Sequence, residues 1–496
     1  MKIVMLALLM AVWPTAASAE WRVARSDHFT IYSEDDGRTL ADYAGKVERF
    51  DSALRRLRRV EDHPVSPANR VTIFVVRSTS AVRKVLGGDN AWAAGFYRPR
   101  AANSVIVTPS LRFAGVDGRG ALDPMTVLLH EYTHHFLLEN FAAAYPAWFV
   151  EGFAEFASAA QFDDNGAVGI GLPAQHRART LMRPQFLTLS EMLTDDQRTL
   201  SKSERPNLYA TGWLLTHYLI FSDARKGQLS RYLTAINDGE PRAAAAKAAF
   251  GDLNTLDREL DAYMKRKLDY IRIPPSQLTG GKIEIEEVSP GAAAVLPLKM
   301  RLKRGVLRPD AAAFAALART AAAPFPNDLD AQLVLADAEA LAGKLDACDT
   351  AIARALAAQP NSPDALMARA ASMMRRRDEA GAKADWPAIR TAISRANKAE
   401  PDSPLPLILY YDSFVAANQP PPKLAVDGLE RAFELAPQDG GLRLRLATQL
   451  VRDRRFDEAR MVLAPLAYAP HVGAQVEAAR AMLDRLPMDN SAHTVS

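Results

Sequence analysis

Two histidines separated by four positions, His130 and His134, are the residues of this chain most able to do chemistry. On a helix, side chains at this spacing lie on one face about one turn apart, so two imidazoles can bind the same Zn²⁺ ion. Glu131 lies next to the first histidine, close to such a metal without being a ligand of it. It can take a proton from a zinc-bound water, which is the task of a general base. The segment predicts one zinc ion and a hydrolytic reaction.

A catalytic zinc site needs a third protein ligand and a fourth position that stays open. Glu151, seventeen residues after His134, is the candidate for that ligand. Two neutral imidazoles and one carboxylate leave a formal charge of +1, so the metal can still bring its water toward a pKa of about 7. Glu155 lies one helical turn beyond Glu151, where it can accept the free N–H of a ligand histidine.

The two motifs together, His-Glu-x-x-His followed by Trp-x-x-Glu-Gly-Phe-Ala, resemble the gluzincin metallopeptidases. The resemblance is closest to the peptidase MA-like proteins of bacteria and to the aminopeptidase branch of the clan. It covers residues 20–270 and implies zinc on His130, His134 and Glu151, with Glu131 as the base. Zinc-dependent hydrolysis of peptide bonds is the activity that the resemblance implies.

A tyrosine further along the chain extends the resemblance. In related enzymes, a tyrosine at a similar place donates a hydrogen bond to the tetrahedral oxyanion, which implies this role for Tyr209. The residue would act as a neutral phenol, since its unperturbed pKa is about 10. A packed aromatic side chain at a helix start is the alternative, with nearly equal weight.

The chain departs from the aminopeptidases in the segment before the motif. Those enzymes hold the substrate amine with a glutamate there, whereas residues 95–107 contain no acidic residue. The departure favours an endopeptidase over an aminopeptidase. An exposed edge strand in this segment could bind an extended peptide by main-chain hydrogen bonds.

The elements that must position these residues are helices preceded by a small sheet. Asp123 and Pro124 form a helix start, with the helix running to about Asn140, and Pro146 opens a second helix that ends near Ala160. A third helix is predicted over residues 207–221, and an earlier one over 40–57. The predicted strands lie around residues 28–32, 71–76, 95–97 and 104–107, with a further short strand at 282–286 inside a connector.

Beyond about residue 311 the chain is rich in alanine and repeats itself. Prolines that end helices recur at Pro326, Pro360, Pro401, Pro437 and Pro470, at intervals of 34, 41, 36 and 33 residues. A period near 34 resembles tetratricopeptide (TPR) repeats, which present a groove to peptides or protein partners. A nonspecific alanine-rich bundle is the alternative. Cys348, the only cysteine, falls at a small-residue position of the repeat and is expected to be buried.

The first nineteen residues predict a secretory signal. Lys2 precedes a short apolar run, and Ala17, Ser18 and Ala19 form a cleavage site, which predicts a periplasmic or secreted protein. No later stretch is apolar enough to predict a membrane span. The charges, 61 basic and 58 acidic residues, give no reason to expect a nucleic-acid partner.

The predicted fold class is α+β, with a zincin-like metallopeptidase domain of small mixed sheet and active-site helices, followed by an all-α TPR-like solenoid. The predicted division is a signal peptide at residues 1–19, a gluzincin-like metallopeptidase domain at 20–272, a connector at 273–310, TPR-like repeats at 311–478 and a flexible tail at 479–496. The predicted function is that of an exported zinc metallopeptidase whose repeats recruit a substrate or partner. The alternative is a non-catalytic scaffold or assembly factor of the cell envelope with a relic peptidase domain.

Overall fold

The computed structural model describes residues 21–63, 65–88, 93–113, 122–183, 186–195, 200–201, 203–380, 384–469 and 473–487. The predicted signal peptide, Pro470 and residues 488–496 of the predicted tail lie outside these ranges. Across the part of the chain that is described, none of the helices combines the length and the apolar character that a membrane crossing requires.

Within the described ranges, nine short strands form two sheets. The strands are β1 (Arg22–Arg25), β2 (Phe29–Ser33), β3 (Val71–Val76), β4 (Phe96–Arg98), β5 (Val105–Pro109), β6 (Ala160–Phe162), β7 (Val168–Ile170), β8 (Ile271–Ile273) and β9 (Glu284–Glu287). The larger sheet has the order β4-β5-β3-β2-β1-β9, and the smaller one is β6-β7-β8. Since β2, β3 and β5 run parallel while the other neighbours are antiparallel, the sheet is mixed, as predicted.

Among the described residues up to 264, there are ten α-helices. They are α1 (Gly37–Arg58), α2 (Thr79–Leu86), α3 (Pro124–Asn140), α4 (Ala147–Ser158), α5 (Ala178–Leu181), α6 (Leu189–Thr194), α7 (Arg205–Phe221), α8 (Gln228–Asn237), α9 (Arg242–Phe250) and α10 (Leu253–Met264). β3 is buried along its whole length, which explains why its sequence is an unbroken apolar run rather than an alternating one. The main core lies between the sheet and helices α1, α3, α4 and α7.

Helix α3 begins and ends where the sequence predicts. The Asp123 side chain accepts a hydrogen bond from the backbone N–H of Thr126 at 2.9 Å, and Pro124 is the first helical residue. Helix α4 differs slightly from its prediction, because Pro146 is the N-cap rather than the first residue and the helix ends at Ser158. These two helices carry all the predicted metal ligands.

Helices α4 and α7 cross at two glycines. A Cβ atom on Gly152 would lie 2.3 Å from the carbonyl oxygen of Gly212, and one on Gly212 would lie 2.6 Å from the carbonyl oxygen of Trp148. Both separations are too short for any side chain, so backbone packs directly on backbone. The crossing fixes α7, which carries Tyr209, against the helix that carries Glu151.

The strand expected inside the connector belongs to the main sheet instead. β9 pairs antiparallel with β1 and forms one edge of the six-stranded sheet. The remainder of the predicted connector contains a helix that the sequence did not predict, α11 (Pro290–Arg304). That helix packs against the first helices of the repeat region, so residues 273–310 are divided between sheet and helices.

From residue 311 onward, the regular elements of the described chain are all helices. They are α12 (Ala311–Ala322), α13 (Leu329–Leu341), α14 (Leu345–Ala358), α15 (Pro363–Ala380), α16 (Trp386–Ala399), α17 (Pro404–Ala416), α18 (Lys423–Leu435), α19 (Gly440–Arg452), α20 (Phe456–Ala467) and α21 (Ala474–Leu483). Consecutive helices pack as hairpins: α13 with α14, α15 with α16, α17 with α18, and α19 with α20.

The repeat positions derived from the sequence are buried in these hairpins. Pro360, Pro401 and Pro437 each follow the second helix of a hairpin by two residues. The small and apolar positions that precede them are buried at Ala355, Ala396, Ala432, Ile352, Ile393 and Leu429. Cys348 is buried as well, as predicted. The tandem helix-pair repeat is therefore confirmed.

The helical array also contacts the sheet-containing part of the chain at two places. The Glu400 carboxylate accepts a hydrogen bond from the backbone N–H of Ala68, just before β3, at 2.8 Å. The Gln438 amide donates to the carbonyl oxygen of Arg100, in the loop that follows β4, at 3.1 Å. The Arg100 guanidinium in turn donates to the carbonyl oxygen of Lys303 in α11 at 3.0 Å, so this loop contacts both the array and α11.

A buried ionic cluster supports the rear of α3. The His28 Nδ1 atom lies 2.8 Å from the Glu48 carboxylate, and its Nε2 atom lies 3.0 Å from Asp62. The Tyr132 hydroxyl, on α3, donates to Asp51 of α1 in the same cluster. Burial lowers the pKa of His28, but its hydrogen bond to Glu48 and the charges of Asp51 and Glu48 outweigh burial and raise the pKa to about 9.

Replacing Gly152 with alanine is expected to lower the free energy of unfolding by about 2–3 kcal/mol, because the added methyl group meets backbone that cannot move aside. The matched control is Gly428→Ala in α18, where the new Cβ would lie 3.8 Å from the Leu407 side chain. That variant should be neutral or gain up to about 1 kcal/mol from helix propensity. Urea unfolding measures both. Equal stability of the two variants would contradict the tight crossing.

His28 should make stability depend on pH. Its folded pKa lies above the unfolded value of about 6.5, so the protonated imidazole stabilises the fold below pH 6.5 and the contribution is lost as the pH rises through about 9. The difference in unfolding free energy between wild type and His28→Gln should therefore shrink by about 3 kcal/mol between pH 6 and pH 10. The exposed His63 provides the control substitution. A difference that stays constant with pH would refute the assignment.

Candidate metal centre

The structure brings the three predicted ligands together. The Nε2 atoms of His130 and His134, one turn apart on α3, lie 3.2 Å from each other. The Oε2 atom of Glu151, from α4, lies 3.4 Å from the first of these nitrogens and 3.5 Å from the second. The three donor atoms thus form a nearly equilateral triangle.

The triangle has the dimensions that a zinc ion requires. Zinc ligands at about 2.0–2.2 Å with tetrahedral angles lie roughly 3.3–3.6 Å from one another. Two edges of the triangle, 3.4 and 3.5 Å, fall in this range, and the third, 3.2 Å, is slightly shorter. The donor set of two imidazoles and one carboxylate is one that zinc binds in hydrolytic enzymes, with the fourth tetrahedral position left for water or substrate. His130, His134 and Glu151 therefore fit one Zn²⁺ ion in both geometry and chemistry.

Glu155 lies where the sequence predicts, beside the first ligand histidine. Its Oε1 atom is 3.3 Å from Nδ1 of His130, on the side of the ring away from the donor triangle. A hydrogen bond there places the proton on Nδ1 and leaves the Nε2 lone pair for a metal. Burial lowers the pKa of His130, but hydrogen bonds to Glu151 and Glu155 outweigh it and raise the pKa to about 10.

Two further residues hold Glu155, and sequence reasoning missed both of their roles. The His176 Nε2 atom is 2.6 Å from the Glu155 carboxylate. Arg177 donates from Nε to the same carboxylate at 2.9 Å and forms a second hydrogen bond from Nη2. Burial raises the pKa of Glu155, but hydrogen bonds from His130, His176 and Arg177 hold it well below its usual range. No spacing relates this pair to the motif, so the sequence gives no signal for it.

Glu131 lies beside the edge strand β4. A Cβ atom on Gly95, just before β4, would be 3.6 Å from Cγ of Glu131 and only 2.5 Å from a methyl group of Val127. Glycine at this position therefore lets the strand approach α3. Burial, with the negative charge of Glu151, raises the pKa of Glu131 to about 7, while the charge of His130 and the backbone N–H of Tyr97 oppose the rise.

Tyr209 faces the same site from α7. Its ring centroid lies 6.0 Å from that of His130, and the Arg177 guanidinium carbon lies 4.9 Å from the centre of its ring. The negative charge of Glu151, followed by burial, raises the pKa of Tyr209 well above its usual value. The phenol is therefore neutral and can donate a hydrogen bond. Its role toward an oxyanion stays a prediction.

The remaining buried histidines near these helices have structural contacts. His135 shares a hydrogen bond of 2.9 Å with the Tyr97 hydroxyl and packs away from the donor triangle. His217 lies 2.8 Å from the Tyr263 hydroxyl and 3.0 Å from the carbonyl oxygen of Gly171. His217 is therefore packed in the core.

The cluster of His28, Glu48 and Asp51 has a metal-like composition but lacks metal-like geometry. The imidazole is 2.8 Å from Glu48, which is a direct hydrogen bond rather than a separation between two zinc ligands. Arg55 donates to Asp51 at 2.7 Å and supplies positive charge to the cluster. These contacts describe an ionic network and leave the α3–α4 site as the candidate metal centre.

No family model and no curated protein matches the chain. The matching solved structures include a thermophilic TPR protein of Thermus thermophilus, with 18% identity, a TM-score of 0.31 and coverage of 35% of this chain and 90% of the other. They also include PilF of Pseudomonas aeruginosa, with 16% identity, a TM-score of 0.30 and coverage of 39% and 87%. Yeast Tom70 has 13% identity, a TM-score of 0.29 and coverage of 72% and 81%. At these scores the likenesses carry no argument about function.

Replacing Glu155 with glutamine is expected to weaken zinc binding about 10- to 100-fold, because His130 loses its charged acceptor and Arg177 loses its counter-ion. Competition with a chelating dye measures the affinity. The matched control is Glu259→Gln, since that carboxylate also pairs with an arginine, Arg225, at 2.8 Å but does not touch the centre. Unchanged zinc affinity in the Glu155 variant would show that this carboxylate does not orient the ligand.

Proposed function

We propose that the protein is an exported zinc metallopeptidase whose catalytic part has a zincin-like fold. The observation that carries the proposal is the triangle of donor atoms from His130, His134 and Glu151, with its edges of 3.2–3.5 Å and Glu131 next to it. One Zn²⁺ ion is the cofactor that these residues would hold. Export to the periplasm or beyond rests on the signal-like residues 1–19, and the predicted division into domains remains part of the proposal.

The residues around the centre can perform peptide hydrolysis together. Bound zinc would act as a Lewis acid toward water and the scissile carbonyl. Glu131 accepts the proton of the attacking water and returns it to the leaving amine, a role suited to a carboxyl group whose pKa is raised to about 7. Tyr209, kept neutral, donates a hydrogen bond to the developing oxyanion. Glu155 fixes the orientation of His130.

The edge strand β4 suggests how a substrate would bind. β4 pairs with β5 on one side only and forms an end of the six-stranded sheet. The Glu131 carboxylate interacts with the backbone N–H of Tyr97, in the middle of β4, so a peptide added along this edge would pass the base. The absence of acidic residues from positions 95–107 supports endopeptidase rather than aminopeptidase cleavage.

A second candidate function belongs to the helical array. Tandem helix pairs generally present a continuous surface to peptides or protein partners, and here they occupy residues from about 290 to the end of the described chain. The protein would then be a scaffold of the cell envelope whose first part has lost catalysis. An intermediate arrangement, in which the array delivers substrates to the peptidase, uses both parts of the chain.

The variant Glu131→Gln should keep its zinc and lose about 10²- to 10⁴-fold in hydrolysis, because the amide cannot accept the proton of water. Digestion of a peptide library with mass-spectrometric readout, beside zinc analysis of the same sample, gives both quantities. Glu139→Gln is the matched control, since Glu139 lies on the same helix and contacts His135 instead of a proposed ligand. The control should cleave as wild type does.

The same digest separates the two functions. Internal cleavage that stops when a chelator is added supports the endopeptidase. A zinc-loaded Glu131→Gln protein that cleaves as fast as wild type refutes the mechanism. A wild-type protein that neither retains zinc nor cleaves any peptide favours the scaffold.

A further inference from the structure

A basic pocket lies between the second helix of one hairpin, α16, and the first helix of the next, α17. The cavity has a volume of about 330 Å³ and is lined by Arg390, Thr391, Ser394, Arg395, Lys398 and Tyr410. Three of these side chains carry positive charge and the other three carry hydroxyl groups. No carboxylate appears among the described residues that line it.

The Arg390 guanidinium is partly buried, and the hydrogen-bond acceptors described for it are uncharged. Its guanidinium carbon lies 3.7 Å from the centre of the Phe414 ring. Its N–H groups donate to neutral acceptors, the Ser413 hydroxyl at 3.2 Å and the Gln419 amide oxygen at 2.7 Å. Burial lowers the pKa of Arg390, which reflects the cost of holding this charge without a counter-ion. An anion in the pocket would offset that cost.

The other two cations stand on one face of α16. Side chains at positions i, i+3, i+4 and i+7 share one face of a helix, and on α16 these positions are Thr391, Ser394, Arg395 and Lys398. The four side chains form a stripe about 10 Å long. Within the described chain, neither Arg395 nor Lys398 forms an ion pair, and both side chains are exposed. Donors on this stripe are therefore available to a ligand.

The acidic residues that follow α16 are engaged elsewhere. The Glu400 carboxylate accepts a hydrogen bond from the backbone of Ala68 at 2.8 Å. Asp402 pairs with Arg431 at 3.3 Å. Arg445, on a later hairpin, pairs with Asp412 at 3.1 Å. Arg431 and Arg445 thus have carboxylate partners, whereas Arg395 and Lys398 have none within the described chain.

We propose that this pocket binds an acidic segment of a partner protein, with carboxylates on Arg395 and Lys398. The three cations that line the pocket, Arg390, Arg395 and Lys398, extend over eight residues of α16, about 12 Å at 1.5 Å per residue. That length matches three to four residues of extended chain at roughly 3.3 Å each. A single phosphate could not contact all three. Arginine clusters recognise acidic motifs through charge-assisted hydrogen bonds, and the Tyr410 ring offers an aromatic wall. This inference does not depend on the metal centre.

The test uses the full-length protein and a fluorescently labelled tri-aspartate peptide with capped ends, followed by fluorescence polarisation. The double variant Arg395→Gln/Lys398→Gln should lose about tenfold in affinity, as expected for two exposed ion pairs. The control double variant Lys344→Gln/Arg354→Gln removes the same charge from α14 and its N-cap and should bind as wild type does. Both pairs of side chains are exposed, and an unchanged melting temperature verifies the fold.

Three further outcomes decide the matter. Binding that falls as salt is raised, and that a tri-asparagine peptide does not reproduce, supports the proposal. Equal affinity of the pocket variant and wild type for the peptide overturns the proposal. Because the pocket variant keeps the metal centre, a peptide that bound zinc instead of the pocket would also give equal affinities. Competition by inorganic phosphate at lower concentration than the peptide would mark a phosphate site and overturn it as well.

Discussion

Three electron-rich atoms from two helices are held within 3.5 Å of one another in a largely buried site, and the first part of the chain is arranged around that constraint. Nε2 atoms that present lone pairs to each other and to a carboxylate repel one another unless a positive charge lies between them. A zinc ion relieves the repulsion, and so does a proton, which is why the neighbouring carboxylates raise the pKa of His130. The same carboxylates give the centre its preference for a cation.

Two sets of contacts hold the three donor atoms in this arrangement. Glu155 holds His130 from behind and is itself held by His176 and Arg177, and the guanidinium of Arg177 also covers the ring of Tyr209. The ligand and the proposed oxyanion donor therefore share one positioning residue. Further out, the crossing of Gly152 and Gly212 sets the distance between the helices that carry Glu151 and Tyr209. The motif Glu-Gly-Phe-Ala thus combines a ligand with the contact that places its neighbour.

Short-range sequence patterns predicted most of the site residues, but they predicted less of how the strands and helices pair with one another. Helical spacing and a proline at the helix start predicted where the site residues lie, namely His130, His134, Glu151 and Glu155. In the repeats, the recurring distances to the prolines predicted which positions of the hairpins are buried. The pairing of β9 with β1 was missed, because an alternating strand does not reveal its partner across more than 250 residues. His176 and Arg177 were missed because a short 3-10 helix outside the motif, Gln175–Arg177, brings them to Glu155. The resemblance to gluzincins supplied Tyr209, and its catalytic role remains proposed.

The proposed chemistry requires a divalent cation between His130, His134 and Glu151. The most direct measurement is anomalous X-ray scattering at the zinc edge from crystals of the protein grown with zinc. We expect a single strong peak about 2.0–2.2 Å from all three donor atoms. A map without a peak there, or with zinc only on other residues, would contradict it.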